Sequence, residues 1–346
     1  MRGGIHIHGV ILAAGKGERL KGLTQTIPKA LVEVAGKTLL EYAINRLTEA
    51  NIQNITIAVG WKSDMIRHAI TQFENSPVMQ IVDVSNYEIG PLQTLTTALD
   101  AIQDEESIIC PVDLLVSSNA ISEIISRHAK SQDTLVTLAI DPQSTSGSIV
   151  SLDSHGHVIG VQKEVGGADS VAKSAMFMVV SSGFAEYCRK SLSNGSTTAV
   201  SVLNDITKTD YLVQSFPVSE RWFDVDTIAN VLEANRNLLE SGAVHYNKSI
   251  FIPSGDVVAI GDELSLSSDI KVSNGVTLKG PCLIQRGSMI GANCVIGPYT
   301  SLGISTRIGD NCEIQNAVIS GQSMIPNLSK VNDILVNQSE IFRMEE

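Results

Sequence analysis

Short apolar runs and amphipathic segments alternate through about the first 240 residues of the chain. Runs of aliphatic and β-branched residues predict strands, and segments with an apolar residue at every third or fourth position predict helices. The predicted strands are 10–13, 55–59, 79–84, 107–112 and 134–139. The predicted helices are 38–50, 63–73, 93–102 and 119–130. This alternation is typical of an α/β fold with a mainly parallel sheet covered on both faces.

A second pattern begins near residue 250, where every sixth residue is aliphatic. The series is Ile260, Leu266, Val272, Leu278, Ile284, Ile290, Ile296, Leu302, Ile308 and Ile314. A six-residue period is typical of hexapeptide repeats. The segment resembles the left-handed parallel β-helix of acyltransferase-like proteins, with three hexads per coil and three to four coils. The sequence therefore predicts domains at residues 1–242 and 250–336 and a tail at 337–346.

Composition excludes several classes of protein. A net charge of −12 argues against a nucleic-acid-binding surface, which needs a basic face. No apolar run reaches the ~18 residues of a membrane span, and the N-terminus lacks the apolar core of a signal peptide. Five cysteines without C-x-x-C spacing indicate a reducing compartment. We expect a cytoplasmic protein without a membrane partner, in which Cys282, Cys294 and Cys312 pack in the corners of the repeats.

A glycine-containing loop follows the first predicted strand. The loop combines a flexible backbone, at Gly15 and Gly17, with positive charge, at Arg19 and Lys29. This combination allows the backbone to approach a triphosphate closely. The loop has neither the third glycine of a dinucleotide fingerprint nor a P-loop motif. An ordinary turn from strand to helix is the alternative interpretation.

The spacing of this segment resembles that of the sugar-phosphate nucleotidyltransferases. The resemblance is carried by Leu12-Ala13-Ala14-Gly15-x-Gly17-x-Arg19-Leu20, by Pro28-Lys29-Ala30-Leu31 and by Gly36-Lys37-Thr38-Leu39-Leu40-Glu41-Tyr42. It implies a Rossmann-like, mainly parallel nucleotidyltransferase domain followed by the left-handed β-helix. The nucleotide-binding residues that it implies are Leu12, Ala13, Ala14, Gly15, Gly17, Gln93 and Thr94.

Three aspartates are candidate metal ligands. Asp113 follows a strand and should emerge at the edge of the sheet where α/β folds bind ligands, although it could also cap a helix. The resemblance implies a metal-binding role for it. Asp224 and Asp226 are two residues apart and would face one side of a strand, so a cation between them would relieve their repulsion. Asp226 or Thr227 could alternatively cap the next helix.

Two segments depart from the family pattern. The loop that usually reads P-L-G-T-A has Gln93 in place of the glycine. Residues 147–164 predict a hairpin around Ser154-His155-Gly156, where the family motif E-K-P becomes Gln162-Lys163-Glu164. Lys163 remains a candidate for binding the phosphate of the acceptor, with an unspecialised surface lysine as the alternative.

Together these residues predict nucleotidyl transfer that depends on Mg²⁺, from an NTP to a sugar 1-phosphate. The acceptor phosphate is already ionised near neutral pH, so alignment and charge neutralisation are what the protein must supply. Arg19 would bind the leaving β- and γ-phosphates, and Lys29 the α-phosphate. Asp113 and Asp224 would bind Mg²⁺, with Asp226 as a third ligand.

Two other functions remain open. The sequence Asp224-x-Asp226-Thr227 is more like that of CTP-dependent cytidylyltransferases acting on a polyol or alcohol phosphate. The substitutions at Gln93, Gln162 and Asn327 would also suit a non-catalytic regulatory or assembly subunit. Asn327 occupies the position of the catalytic histidine of related acetyltransferases, so we predict no acetyltransferase activity. The resemblance implies a homo-oligomer formed through the β-helix.

Overall fold

A computed structural model describes residues 7–73, 77–131, 133–145, 147–162, 166–242, 244, 248–265 and 269–344. Contacts divide the chain into two compact units. Unit 1 comprises Met1–Lys16, Pro28–Ala30 and Leu40–Phe223, and unit 2 comprises Gly17–Ile27, Leu31–Leu39 and Asp224–Glu346. Among the described residues, no helix has both the length and the apolar character needed to cross a bilayer.

Unit 1 is built on a twisted sheet. Along its main path the strands are, in order, Val158–Val161, Ile149–Leu152, Ser170–Val180, Ser107–Pro111, His8–Ala13, Asn54–Val59 and Val78–Asp83. The last four are parallel to one another, whereas Ser170–Val180 runs antiparallel to its neighbours on this path. Thr134–Asp141 and Leu212–Pro217 extend the sheet beside Ser170–Val180. The predicted Rossmann-like fold is confirmed, and the sheet is mixed: its four central and edge strands are parallel, whereas Ser170–Val180 forms antiparallel pairs.

Helices cover this sheet; the bounds of the first four differ from the predicted ones by at most three residues, and the last two were not predicted. They are Leu39–Glu49, Ser63–Ile70, Pro91–Ala101, Ser118–His128, Phe184–Ser193 and Ala199–Ile206. Buried aliphatic residues of helix Pro91–Ala101, among them Leu92 and Leu95, pack with Val10 and Ile109 of the central strands. Alternation of apolar and polar residues along the chain thus buries one face of this helix against the sheet.

Unit 2 contains a parallel β-helix of short strands. Leu278 pairs with Ile296, and Ile296 pairs with Ile314, so successive coils are offset by 18 residues. The aliphatic series is buried from Val272 to Ile314; Leu266 lies outside the described residues. The strands of the helix are Lys271–Val272, Val276–Lys279, Cys282–Ile284, Met289–Ile290, Val295–Ile296, Thr300–Leu302, Arg307–Ile308, Glu313–Ile319, Met324–Ile325 and Lys330–Asn337.

The last coil departs from the six-residue period. Ile314 is followed by buried Ile319 and Ile325, which pair with Leu302 and Ile308 at an offset of 17 residues. Asn316 turns the corner within the strand Glu313–Ile319 with a positive φ of 43°. One residue fewer at this corner therefore shifts the aliphatic series without exposing it.

Antiparallel strands pair with the outer coils of the β-helix. Ile250–Ile252 pairs with Cys282–Ile284, and Val257–Ile260 pairs with Val276–Lys279. Residues 337–346, predicted as a tail, include the strand Glu340–Arg343, which pairs with Lys330–Asn337. Pairing of this kind satisfies the backbone groups that an open strand edge would leave exposed.

Asp310 and Asn327 form a ladder along one corner of the β-helix. The Asp310 carboxylate accepts a hydrogen bond from the Ala292 amide (2.8 Å), and the Asn327 side chain accepts one from the Asp310 amide (2.9 Å). A methyl group added at Gly309 would collide with the Asn327 side-chain oxygen and lie 2.5 Å from its backbone nitrogen. The Asn327 side chain therefore has a structural role, because it binds the backbone of the preceding coil at Asp310.

We expect Gly309→Ala to destabilise the β-helix by about 1–3 kcal/mol, because the backbone of the next coil must move to admit the methyl group. Urea unfolding followed by circular dichroism measures the effect. The matched control is Gly261→Ala, where an added methyl group meets no atom within 4 Å. Equal midpoints for the two variants would contradict the steric explanation.

His128 is a buried, neutral histidine in unit 1. Its Nδ1 lies 2.8 Å from the Thr137 hydroxyl and its Nε2 lies 2.9 Å from the Ser181 hydroxyl. Burial lowers the pKa of His128 from 6.5 to about 4. The folded protein therefore excludes a proton that the unfolded chain binds over this range of pH.

We expect the free energy of unfolding to fall as the pH decreases from 6.5 to about 4, by at most about 1.4 kcal/mol per pH unit from this residue. Urea titrations across that window measure the slope. His128→Gln removes the titrating group and should flatten the dependence. Identical slopes in both proteins would assign the effect to other groups.

Candidate functional site

The parallel strands of unit 1 bring three predicted positions to one edge of the sheet. Leu12 pairs with Pro111, and Ala13 pairs with Val59. Gly15, Gly60 and Asp113 each lie one or two residues beyond these pairs, at the carboxyl ends of their strands. This is the edge at which open α/β sheets bind ligands.

The glycine loop is held by the neighbouring strand. The Trp61 amide donates a hydrogen bond of 2.9 Å to the Ala14 carbonyl. A side chain at Gly60 would collide with the Tyr87 ring and the Ala14 carbonyl, at 2.6 and 2.8 Å. An added methyl group at Gly15 would meet nothing within 4 Å. The backbone is therefore fixed on one side and open at Gly15.

Beyond the loop, Gly17 has a left-handed conformation with φ of 68° and precedes the 3₁₀ helix Glu18–Leu20. Of the other predicted nucleotide-binding residues, Leu12 and Ala13 belong to the first strand. Gln93 and Thr94 lie in the first turn of Pro91–Ala101, where the Gln93 amide donates a hydrogen bond of 3.1 Å to the Thr97 hydroxyl. A side-chain amide thus occupies the place of the usual glycine.

Lys29 forms an ion pair with Asp113 in unit 1. The lysine begins the 3₁₀ helix Lys29–Leu31, and only 9 % of its side chain is exposed. The Asp113 side chain is 20 % exposed. A lysine this deeply buried requires a negative partner. The structure thus brings together two residues to which the sequence gave separate predicted roles, Lys29 for phosphate binding and Asp113 for metal binding.

Arg46 is a buried residue near this pair that the sequence interpretation missed. It lies on helix Leu39–Glu49, and its Nη2 donates a hydrogen bond of 2.9 Å to the carbonyl of Pro111. Its Nε and Nη1 have no hydrogen-bond partner among the residues that the structure describes. Burial lowers the pKa of Arg46, while Cys110 and Asp113 oppose that shift. Arg46 therefore fixes the strand end that leads to Asp113.

Unit 2 carries a second ion pair, between Arg19 and Asp226. The arginine side chain is 71 % exposed, whereas that of Asp226 is 8 % exposed. Oxygen atoms of Asp224 and Asp226 lie within 4.8 Å of each other. The two carboxylates thus lie close together, although only Asp224 belongs to the strand Phe223–Asp224, and the Asp226 backbone amide donates a hydrogen bond of 3.2 Å to the Asp224 carbonyl.

Thr227 caps the helix that follows these aspartates. Its hydroxyl accepts a hydrogen bond of 3.2 Å from the backbone amide of Asn230. The side-chain oxygen of Asn230 accepts one of 3.1 Å from the backbone amide of Thr227. This capping box begins helix Ile228–Ser241. Of the two capping residues considered from the sequence, Thr227 has this role, and Asp226 is left to pair with Arg19.

Chain connectivity relates the aspartates to one another. Within unit 1, Phe223 belongs to a short strand that pairs with Leu114–Leu115. Asp113 is the residue before Leu114, and Asp224 is the residue after Phe223. All three candidate ligands offer carboxylate oxygens, which hard divalent cations prefer. This donor set fits a site for such a cation.

The predicted acceptor-binding lysine, Lys163, lies outside the described residues. The hairpin that precedes it is present: Ile149–Leu152 pairs antiparallel with Val158–Val161. Gln162 follows, and its side-chain amide donates a hydrogen bond of 3.2 Å to the Ser148 hydroxyl.

The chain matches the family model described as "Nucleotidyl transferase" over residues 8–241. It is 25 % identical over 239 residues to the "Bifunctional protein GlmU" of Methanocaldococcus jannaschii, which covers 67 % of this chain and 54 % of that protein. It is 26 % identical over 233 residues to the "Bifunctional sugar-1-phosphate nucleotidylyltransferase/acetyltransferase" of Sulfurisphaera tokodaii, covering 67 % and 55 %.

A third relative is a "2-aminoethylphosphonate cytidylyltransferase" of Lancefieldella rimae. The identity is 30 % over 113 residues, which cover 32 % of this chain and 45 % of that protein. The chain thus spans about half the length of these three curated relatives.

The fold is also similar to that of a solved UDP-glucose pyrophosphorylase complexed with UDP-glucose. The TM-score is 0.57 and the identity is 17 %, with 66 % of this chain and 96 % of the other covered. The family match includes the strand ends, the glycine loop and all three aspartates. The chain belongs to the nucleotidyl transferase family.

Proposed function

We propose that this chain transfers a nucleotidyl group from an NTP to the phosphate of a sugar 1-phosphate, giving an NDP-sugar and pyrophosphate. The observation that carries the proposal is the buried Lys29–Asp113 pair at the ligand edge of a nucleotidyl transferase sheet. The relative named for a sugar-1-phosphate activity supports this choice of acceptor.

In this reaction an oxygen of the acceptor phosphate attacks the α-phosphorus of the NTP. A new P–O bond forms as the bond between the α-phosphorus and the bridging oxygen breaks, and pyrophosphate leaves with that oxygen. The attacking phosphate is already ionised, so no general base is needed. Alignment and neutralisation of charge are the main contributions of the protein.

The cationic residues divide these tasks. Lys29 binds the α-phosphate, where negative charge develops during the reaction. Arg19, with its exposed guanidinium, binds the leaving β- and γ-phosphates. Lys163 binds the phosphate of the acceptor. The nucleotide is held by the backbone at Gly15 and Gly17. The other residues that bind it are Leu12, Ala13, Ala14, Gln93 and Thr94.

Asp113, Asp224 and Asp226 would hold Mg²⁺. A bound magnesium ion supplies charge neutralisation for the phosphates of the NTP. Each of the two ion pairs joins one of these carboxylates to a cation, Asp113 to Lys29 and Asp226 to Arg19. Each pair therefore offers a cation for the phosphates and a carboxylate for the metal ion, which supports this assignment of roles.

A CTP-dependent cytidylyltransferase for an alcohol or polyol phosphate is the second candidate. It is favoured by the sequence Asp224-x-Asp226-Thr227, by Gln93 in place of glycine and by the cytidylyltransferase among the relatives. A non-catalytic regulatory subunit is the third, although Arg19, Lys29 and the aspartates are all retained.

The proposal includes the location, the assembly and the domains of the protein. We propose a cytoplasmic homo-oligomer with hexapeptide repeats, formed through the β-helix, without nucleic-acid or membrane partners. The transferase would reside in residues 1–242, and the β-helix in 250–336 would have no acetyltransferase activity, because Asn327 replaces the expected histidine.

The first test is pyrophosphate release with Mg²⁺. The four NTPs are crossed with sugar 1-phosphates, polyol phosphates and 2-aminoethylphosphonate, and Asp113→Asn serves as the matched variant. We expect release with one pair and a loss of about 10²-fold or more in the variant, because a neutral amide binds the metal ion poorly. Silence across the whole panel from protein that binds nucleotide would favour the regulatory alternative.

The second test replaces the buried cation. Lys29→Met should lower kcat by about 10²- to 10³-fold, because the charge that stabilises the α-phosphate in the transition state is lost. Initial rates and circular dichroism separate loss of activity from loss of fold. Lys208→Met, at an exposed lysine paired with Asp205, is the control. Equal rates for the two variants would remove Lys29 from the mechanism.

A further inference from the structure

Two segments of the N-terminal sequence belong to the same compact unit as the β-helix. They are Gly17–Ile27, which carries Arg19, and Leu31–Leu39. Lys29 lies in the three-residue stretch Pro28–Ala30 between them. The chain on both sides of Lys29 is therefore fixed by contacts within unit 2.

The hairpin formed by Glu33–Val34 and Lys37–Thr38 is bound to the β-helix by side chains. The Gln285 amide, which is buried, donates a hydrogen bond of 2.8 Å to the Gly36 carbonyl. The Glu33 carboxylate accepts hydrogen bonds of 3.1 and 3.2 Å from the Gly321 amide. A methyl group at Gly36 would lie 2.8 Å from a Leu283 carbon, so the backbone approaches the β-helix closely.

Asn235 connects this hairpin to both the β-helix and helix Ile228–Ser241. Its side-chain oxygen accepts hydrogen bonds from the Ala35 amide (3.1 Å) and the Ser301 hydroxyl (2.8 Å). Its side-chain amide donates to the Tyr299 carbonyl (3.0 Å). Asn235 is fully buried, and the helix that carries it begins two residues after Asp226.

The segment that carries Arg19 lies against the last strand of the chain. A methyl group at Gly22 would lie 3.2 Å from a ring carbon of Phe342, which belongs to Glu340–Arg343. Arg19 in turn pairs with Asp226. The β-helix and its C-terminal strand thus contact the chain at Gly22, at the hairpin that follows Lys29 and at Asn235 of the helix that follows Asp226.

We propose that the β-helix positions the phosphate-binding residues for nucleotidyl transfer. Gln285 and Phe342 act as positioning residues, Gln285 through the hairpin after Lys29 and Phe342 through the segment of Arg19. The inference rests on the proposed function. It gives the β-helix a direct part in the reaction of the N-terminal residues, in addition to any part in assembly.

The experiment compares Gln285→Met and Phe342→Ala with the control Gln315→Met, at an exposed glutamine of the same β-helix. Gln285→Met keeps the volume of the side chain but removes the donor to Gly36. Titration calorimetry with magnesium pyrophosphate gives the Kd at the site of the leaving group without requiring the base of the NTP to be known. Steady-state kinetics with the active substrate pair give KM and kcat.

We expect both positioning variants to raise the Kd for pyrophosphate and the KM for NTP by about tenfold, the factor that one hydrogen bond or contact of this size accounts for. Gln315→Met should leave both constants unchanged. Unchanged constants in Gln285→Met and Phe342→Ala, with only a lower unfolding temperature, would assign these residues a structural role and overturn the inference.

The inference and the proposed function fail in different ways. If the wild-type protein binds pyrophosphate but turns over no substrate pair, the transferase proposal fails, and the comparison of Kd values still decides whether the β-helix positions a phosphate site. If the wild-type protein does not bind magnesium pyrophosphate at all, there is no such site to position, and the inference is wrong.

Discussion

The parallel register of the central strands is the constraint on which the chemistry depends. Because Leu12 pairs with Pro111 and Ala13 with Val59, three separate loops emerge side by side. A shift of one residue in either pairing would turn alternate side chains to the opposite face and bury the wrong set. The apolar strands therefore determine where Gly15, Gly60 and Asp113 lie.

Two ion pairs each join a cation to one of the candidate metal ligands. Lys29 pairs with Asp113, and Arg19 pairs with Asp226. A buried ion pair contributes little net stability, because desolvation offsets its attraction, so the Lys29–Asp113 pair is better understood as part of the candidate site of unit 1. Each pair consists of a cation suited to phosphate and a carboxylate suited to metal.

Much of the fold was predictable, because periodicity reflects burial. The predicted strands end at residues 13, 59 and 112, within one residue of the observed ends, and the six-residue series predicted the buried positions of the β-helix from Val272 to Ile314. The shift at Asn316 was not predictable. A corner that is one residue shorter changes only the spacing between successive aliphatic residues, from six to five. Hydrogen bonds between residues far apart in sequence leave no local signal, as with the bond from the Gln285 side chain to the Gly36 carbonyl.

The candidate residues can be named from the sequence one by one, but their pairing cannot. The sequence indicated Lys29 and Asp113 separately, and the ion pair between them depends on tertiary structure. Arg46 was missed, although a signal was present: it lies three and seven residues after the buried Ala43 and Leu39, on the apolar face of its helix. A charged residue at such a position indicates a buried polar contact. Thr227 and Asp226 could each have been the cap, and only the hydrogen bonds distinguish them.

The interleaving of the two units has a consequence for synthesis of the chain. The hairpin at residues 33–38 leaves the ribosome long before its partners, because Gly36 and Gln285 are 249 residues apart and Glu33 and Gly321 are 288 apart. Contacts of such high sequence separation form late in folding. The hairpin that follows Lys29 therefore acquires these partners only after residues 285 and 321 have been translated, and a nascent chain that stops before the β-helix lacks them.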